Sequence, residues 1–239
     1  LTFIDQLRLD NRSVFELLKA DYAWVNEDLA KHYGLPGVKG DKFTRVALPP
    51  DSPRGGLLGM GAVLAMTSHT HRTSPTLRGK WILDVLLGTP PPPPPPDAGT
   101  IKEDKKGKDP RSFRELLAQH AGAPVCASCH RRIDPLGFAL EGFNAVGEAR
   151  ETSDAAGALP TGERFNGARE LREVLVGRRD RFLRNLVEQA LSYALGRELG
   201  SYDDAAVREI EAAAAKEGYT FSSIFLGVAR SHPFRHRRT

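Results

Sequence analysis

The amino-acid sequence predicts a mainly α-helical protein with a minor β-hairpin, in two segments that a polyproline linker joins and that pack together. Three observations carry this expectation. Apolar residues recur at helical spacing between recognisable caps through most of the 239 residues. Pro90 to Pro96 form an unbroken run of seven prolines that divides the chain. Beyond that run lies Cys126-Ala127-Ser128-Cys129-His130, which holds the only two cysteines.

In the first segment, Ser13 and Glu16 have the spacing of a capping box, and Val14, Leu17, Leu18 and Tyr22 continue a helical repeat. Asn26 is placed to cap a helix over 27–33 that stops at Gly34, with Pro36 beyond. Pro49, Pro50 and Pro53 mark a loop. Gly55 to Met66 is small and apolar enough for a buried helix, and its glycines suit close packing. No lysine of a phosphate loop accompanies them. Ser74-Pro75 opens a further helix through Trp81, Ile82, Val85 and Leu86, ending at Gly88.

The proline run cannot donate backbone hydrogen bonds and reads as a stiff rod. With the Gly-, Lys- and Asp-rich stretch after it, it makes a linker over 90–110. Ser112 then caps a helix from Phe113 to His120. Asp134-Pro135 reads as a turn leading into a short apolar helix. Val146 to Gly167 suggests a hairpin. Three helices, Arg181–Leu199, Asp204–Lys216 and Ser222–Arg230, close the fold, with Asp203-Asp204 at a helix start.

Hydrophobic residues make up 40% and charged residues 27%, which supports a folded core and argues against wholesale disorder. A net charge of +4, partly in the tail at Arg235, Arg237 and Arg238, gives no sustained basic stripe, so no nucleic-acid partner is expected. No apolar run reaches the roughly 20 residues of a transmembrane segment. The chain opens at Leu1 in the style of a helix already under way, and is expected to be the C-terminal piece of a longer protein.

Two cysteines separated by two residues and followed directly by histidine are the attachment spacing of a c-type haem. Each thiol can form a thioether to a haem vinyl group, and the histidine can bind iron. The fold expectation therefore sharpens to a helical c-type cytochrome-like module. Cys126 and Cys129 would tether haem c, and His130 would be the proximal ligand. A redox CxxC pair would need a strand before Cys126. A zinc site would need histidines for its remaining ligands.

Met60 and Met66 both precede the motif, so a downstream methionine ligand is excluded. The candidates for the second face of the iron are His32, His69, His71, His120, His232 and His236. His69 leads, because it stands in a polar loop, residues 67–75, between two apolar helices. An open sixth position is the alternative. Arg72, Arg78 and Arg131 are candidate partners for haem propionates. Trp81, Phe138 and Phe143 are candidate walls for the porphyrin.

The stretch from Arg54 through the prolines, the string CASCHRRIDPLGFALEGFNAVGEAR and the region from Ala190 to Phe234 together resemble exported proteins of planctomycetes and related bacteria. Those proteins carry domains of unknown function 1592, 1588 and 1585, often beside a cytochrome c-like domain. The resemblance implies that Leu1 to about Val46 is the end of the first of these domains, Arg54 to about Pro96 the second and Ala168 to Phe234 the third. The chain is read as 1–53, the end of a preceding helical domain, and 54–89, a helical hairpin with the His69 loop. The linker (90–110) and a haem-motif and C-terminal helical domain (111–239) follow. The resemblance aligns Cys126, Cys129 and His130 with the family's haem motif, and His69 with Arg72-Thr73-Ser74-Pro75 to its loop signature. Where an aspartate is expected, this chain has Asn144.

The expectation is thus a covalent haem-binding module of an exported bacterial redox protein, periplasmic or extracytoplasmic, that exchanges electrons with a redox partner protein. Two alternatives stand beside it: a haem-dependent oxidative enzyme acting on an extracellular polymer or small molecule, and a structural module with a Cys/His zinc site.

Overall fold

The computed structural model describes residues 2–94, 112–151 and 153–236. It is mainly helical, with two small antiparallel strand pairs. The order is α1 (Thr2–Leu9), α2 (Glu16–Lys19), β1 (Tyr22–Val25), α3 (Glu27–Tyr33), β2 (Thr44–Ala47), α4 (Gly61–Met66) and α5 (Pro75–Trp81). A π-turn, Ile82–Leu86, extends α5. After the described part of the proline run come α6 (Phe113–His120), α7 (Pro124–Phe138), β3 (Ala156–Ala158) and β4 (Arg164–Asn166). Four longer helices and a short one follow: α8 (Gly167–Gly177), α9 (Arg179–Leu195), α10 (Asp204–Lys216), α11 (Phe221–Arg230) and α12 (His232–Arg235).

One apolar core takes residues from both sides of the prolines. Leu18, Leu64, Ile82 and Leu86 share it with Leu136, Phe143, Leu171, Val187 and Val207. Helices α9, α10 and α11 pack on one another. The chain's first loop reaches this bundle, where the Val14 N–H donates to the Tyr219 carbonyl at 2.9 Å. Residues 90–94 form no helix or strand; the rest of the expected linker over 90–110 lies outside the described residues.

Several local expectations need correction. No capping box forms at Ser13, because the Glu16 carboxylate accepts from Arg12 at 2.8 Å and from the Tyr22 hydroxyl at 2.5 Å. Tyr22 leaves the helical repeat for β1, which pairs antiparallel with β2, Tyr22 opposite Ala47 and Val25 opposite Thr44. The expected helix over 55–66 is broken. Gly55 and Gly56 have φ of 144° and 51°, and a Cβ on Gly56 would lie 2.5 Å from the Leu18 carbonyl oxygen. The helix expected over 181–199 runs from Arg179 to Leu195 and stops at Gly196, whose φ is 63°. Helix α8, unforeseen from sequence, precedes it. The hairpin expected within 146–167 is β3–β4, with Gly157 opposite Phe165.

The largest departure is at Asp134-Pro135, where the sequence suggested a turn. Helix α7 runs straight through Pro135. A proline inside a helix costs a hydrogen bond and crowds the preceding turn, so packing has to hold it. A Cβ on Gly79 of α5 would lie 1.9 Å from the Ile133 carbonyl oxygen, and one on Gly137 of α7 would lie 1.7 Å from the Pro75 carbonyl oxygen. The two backbones therefore meet at reciprocal glycines, and α7 is clamped on both sides of its proline.

Candidate functional site

Pro124 opens α7, where its missing N–H costs nothing. Cys126, Cys129 and His130 then fall at i, i+3 and i+4, one face of the helix. Both thiols are unpaired and half-buried, and Cys129 packs against the core.

His130 is held by its own helix. Its Nδ1 lies 2.8 Å from Asp134 Oδ2. A carboxylate only accepts, so Nδ1 is the donor and the lone pair of the neutral ring stands on Nε2. Asp134 is buried, at 7% exposure. Its other oxygen accepts from Thr76 Oγ1 of α5 at 3.1 Å. Burial pushes the Asp134 carboxyl up from the usual carboxylate range, against the hydrogen bond from His130 and that from Thr76.

His130 opens on a cleft of about 760 Å³ between α6, α7 and the β3–β4 hairpin. Leu117, Pro135, Phe138 and Phe165 give it apolar walls, and Arg114, Arg131 and Arg164 bring cationic groups. Arg114 stacks over Phe138 with its guanidinium carbon 3.7 Å from the ring centre and pairs with Asp154 at 2.6 Å. Arg164 is exposed. His120, the last residue of α6, meets the His130 ring edge-on, with centroids 5.3 Å apart.

The other sequence candidates are placed differently. His69 and His71 are exposed on the hairpin closed by the Ser68–Thr73 bridge, with rings stacked at 6.2 Å. His69 is not among the residues lining the cleft. Arg72 lies over the Phe113 ring at 4.5 Å, at the start of α6. Arg78 is fully buried. Its guanidinium donates to the carbonyls of Leu140, Phe143 and Asn144 at 2.7, 3.0 and 2.8 Å, and to Glu141 at 2.9 Å. The propionate role expected for Arg78 therefore gives way to a structural one. Phe143 is buried in the core and Trp81 packs against it, so of the three aromatic candidates only Phe138 lines the cleft. Asn144 organises a turn, its Oδ1 accepting from the Val146 and Glu148 N–H groups at 3.0 and 2.9 Å. His32 contacts the Val146 carbonyl, and His232 stacks on His236 at the far end of the chain.

Asp134, Thr76 and Arg164 were missed from sequence. Asp134 carried a signal, since it stands one turn after His130. The proline behind it drew the reading toward a turn instead.

Three family models match the chain. Residues 1–35 match a protein family of unknown function, DUF1592. Residues 54–153 match the family of unknown function DUF1588, and residues 161–234 match DUF1585. The DUF1588 region runs further than the resemblance in sequence suggested: it continues past the prolines to residue 153 and so contains the His69 loop and the Cys–His motif together. No curated protein and no solved structure matches the chain.

Among the described residues, no group of three His, Cys, Asp or Glu side chains is arranged to hold a metal ion, so a zinc site finds no further ligands beside the cysteines. Two unpaired thiols one turn apart and a histidine with Nε2 available, which itself lines an apolar cleft of cofactor size, are the donor types that fit a covalently held haem. No helix among the described residues is long and apolar enough to cross a membrane.

Proposed function

We propose that this chain is the haem-bearing module of an exported bacterial redox protein and acts in electron transfer. The observation that carries the reading is the common face of α7. It presents Cys126, Cys129 and His130 within little more than one turn, and His130 lines an apolar cleft whose rim is cationic, while neither cysteine is among that cleft's lining residues. Cys126 and Cys129 form the two thioethers, and His130 supplies the proximal nitrogen. Haem c provides a one-electron Fe(III)/Fe(II) couple. The protein's own part is to exclude water with Leu117, Phe138 and Phe165 and to offer Arg131 and Arg164 to the propionates. His120, with its ring against that of His130, would flank the proximal ligand rather than face it across the iron. A c-type haem is attached outside the cytoplasmic membrane, which places the protein in the periplasm or beyond, where a redox partner protein meets it.

The test is production in a host that matures c-type haem. The expected result is a Soret band and a pyridine-haemochrome spectrum that survive acid–acetone extraction, lost when Cys126 and Cys129 are both changed to Ala. A wild-type protein without bound haem overturns the proposal.

A further inference from the structure

His130 is embedded in a relay that the haem motif alone does not require. The imidazole Nδ1–H meets Asp134 at 2.8 Å, and Asp134 meets the Thr76 hydroxyl at 3.1 Å. Asp134 is buried, and its second oxygen is engaged by a residue 58 positions earlier, on α5. The α5–α7 backbone contact at Gly79 and Gly137 fixes the distance between the two ends of this relay. A buried carboxylate on the far nitrogen of a ligating histidine holds its tautomer, fixes the ring orientation and raises its basicity.

We propose that Asp134 is a positioning residue for His130, and that Thr76 holds the Asp134 carboxylate in place. The pair keeps the proton on Nδ1, presents a bare Nε2 and makes the imidazole a stronger electron donor. A stronger donor favours Fe(III), so the relay lowers the reduction potential. The inference rests on the haem reading above, and it ties the ligand's strength to a residue from before the proline run.

Two measurements test it, and one of them needs no haem. In protein made without haem, nitrogen-15 NMR of the His130 ring is expected to show one tautomer, protonated on Nδ1, and Asp134→Asn is expected to mix the two. In haem-loaded protein, Asp134→Asn is expected to shift the Fe(III)/Fe(II) equilibrium toward Fe(II) at least tenfold, about 60 mV for one electron. Thr76→Val is expected to move it the same way by less, and Thr76→Ser to restore it. A loaded Asp134→Asn protein with the wild-type potential overturns this inference and leaves haem attachment standing. A wild-type His130 with mixed tautomers also overturns it. A wild-type protein that binds no haem overturns the parent reading instead.

Discussion

Helix α7 has two faces built on opposite plans. Toward α5 it is welded: reciprocal glycines bring backbone to backbone, and buried Arg78 ties α5 to the carbonyls that follow α7. Toward α6 it is open, and its side chains line a cleft with only partial contact across it. The difference separates two tasks. One face fixes where the helix lies, so that the other can leave His130 open to the cleft without losing its geometry. Preorganisation of a site depends on such support from behind.

The welded face predicts the largest effects. Removing Arg78 as Arg78→Ala takes a donor from the carbonyls of Leu140, Phe143 and Asn144 and leaves the Glu141 carboxylate, among the described residues, with Arg150, 3.6 Å away, as its ion-pair partner. Breaking a buried pair from one side costs about 3–5 kcal/mol, on the order of 10 °C in Tm, which thermal denaturation would read directly. Next come Gly79→Ala and Gly137→Ala, each expected to cost about 1–3 kcal/mol by overpacking. Both force the same two backbones apart, so the double variant is expected to cost less than the sum. Strict additivity in a denaturant cycle would show that the two glycines do not share one contact.

Asp134 sits between the faces, and its stability effect has a definite sign. Burial raises its folded pKa above the ordinary 3.8, so above that pH the folded state keeps a proton that the unfolded chain has released. Stability from this group therefore falls as pH rises through the window from 3.8 to the folded value. Asp134→Asn keeps the shape and removes that slope. Denaturant midpoints measured from pH 4 upward are expected to decline less for the variant than for the wild type. A steeper decline in the variant would break the assignment.

On the open face, Arg164→Ala is expected to change stability by less than about 0.5 kcal/mol, as for an exposed side chain away from the core. In loaded protein the removed positive charge would lower the potential, while thioethers keep the haem content unchanged. A drop in Tm comparable to that of the glycine variants would mean the cleft is as tightly built as the weld.

How far the sequence could be read follows the same division. Helices with local signals were legible: Asn26 accepts from the Leu29 N–H at 3.0 Å, Ser74 accepts from the Leu77 N–H at 3.3 Å, and Ser112 forms a full capping box with Glu115. The Cys126–His130 face was legible too, since its spacing alone fixes it. Non-local causes were not. Pro135 argues for a break unless Gly79 is known to clamp the helix from 58 residues away from Gly137. Tyr22 reads as helical until Glu16 and β2 are in place. Arg78 looks like a surface cation until the carbonyls of 140–144 close around it.

The smallest effect is expected at His69, and it is the sharpest comparison of all. Its ring is exposed beside His71, while its N–H bonds back to the Arg72 carbonyl at 2.9 Å, so the hairpin holds its shape without the imidazole. His120 instead ends α6 with its ring against His130. In haem-loaded protein, His69→Ala is expected to leave the haem spectrum unchanged, and His120→Ala, which removes a ring packed on the proximal ligand, to perturb it. The reverse pair of outcomes would require the 67–73 hairpin to close over the cleft. It would then have to part from the Arg72–Phe113 stack that now seats it against α6, and a spectrum sensitive to Phe113→Ala would reveal that movement.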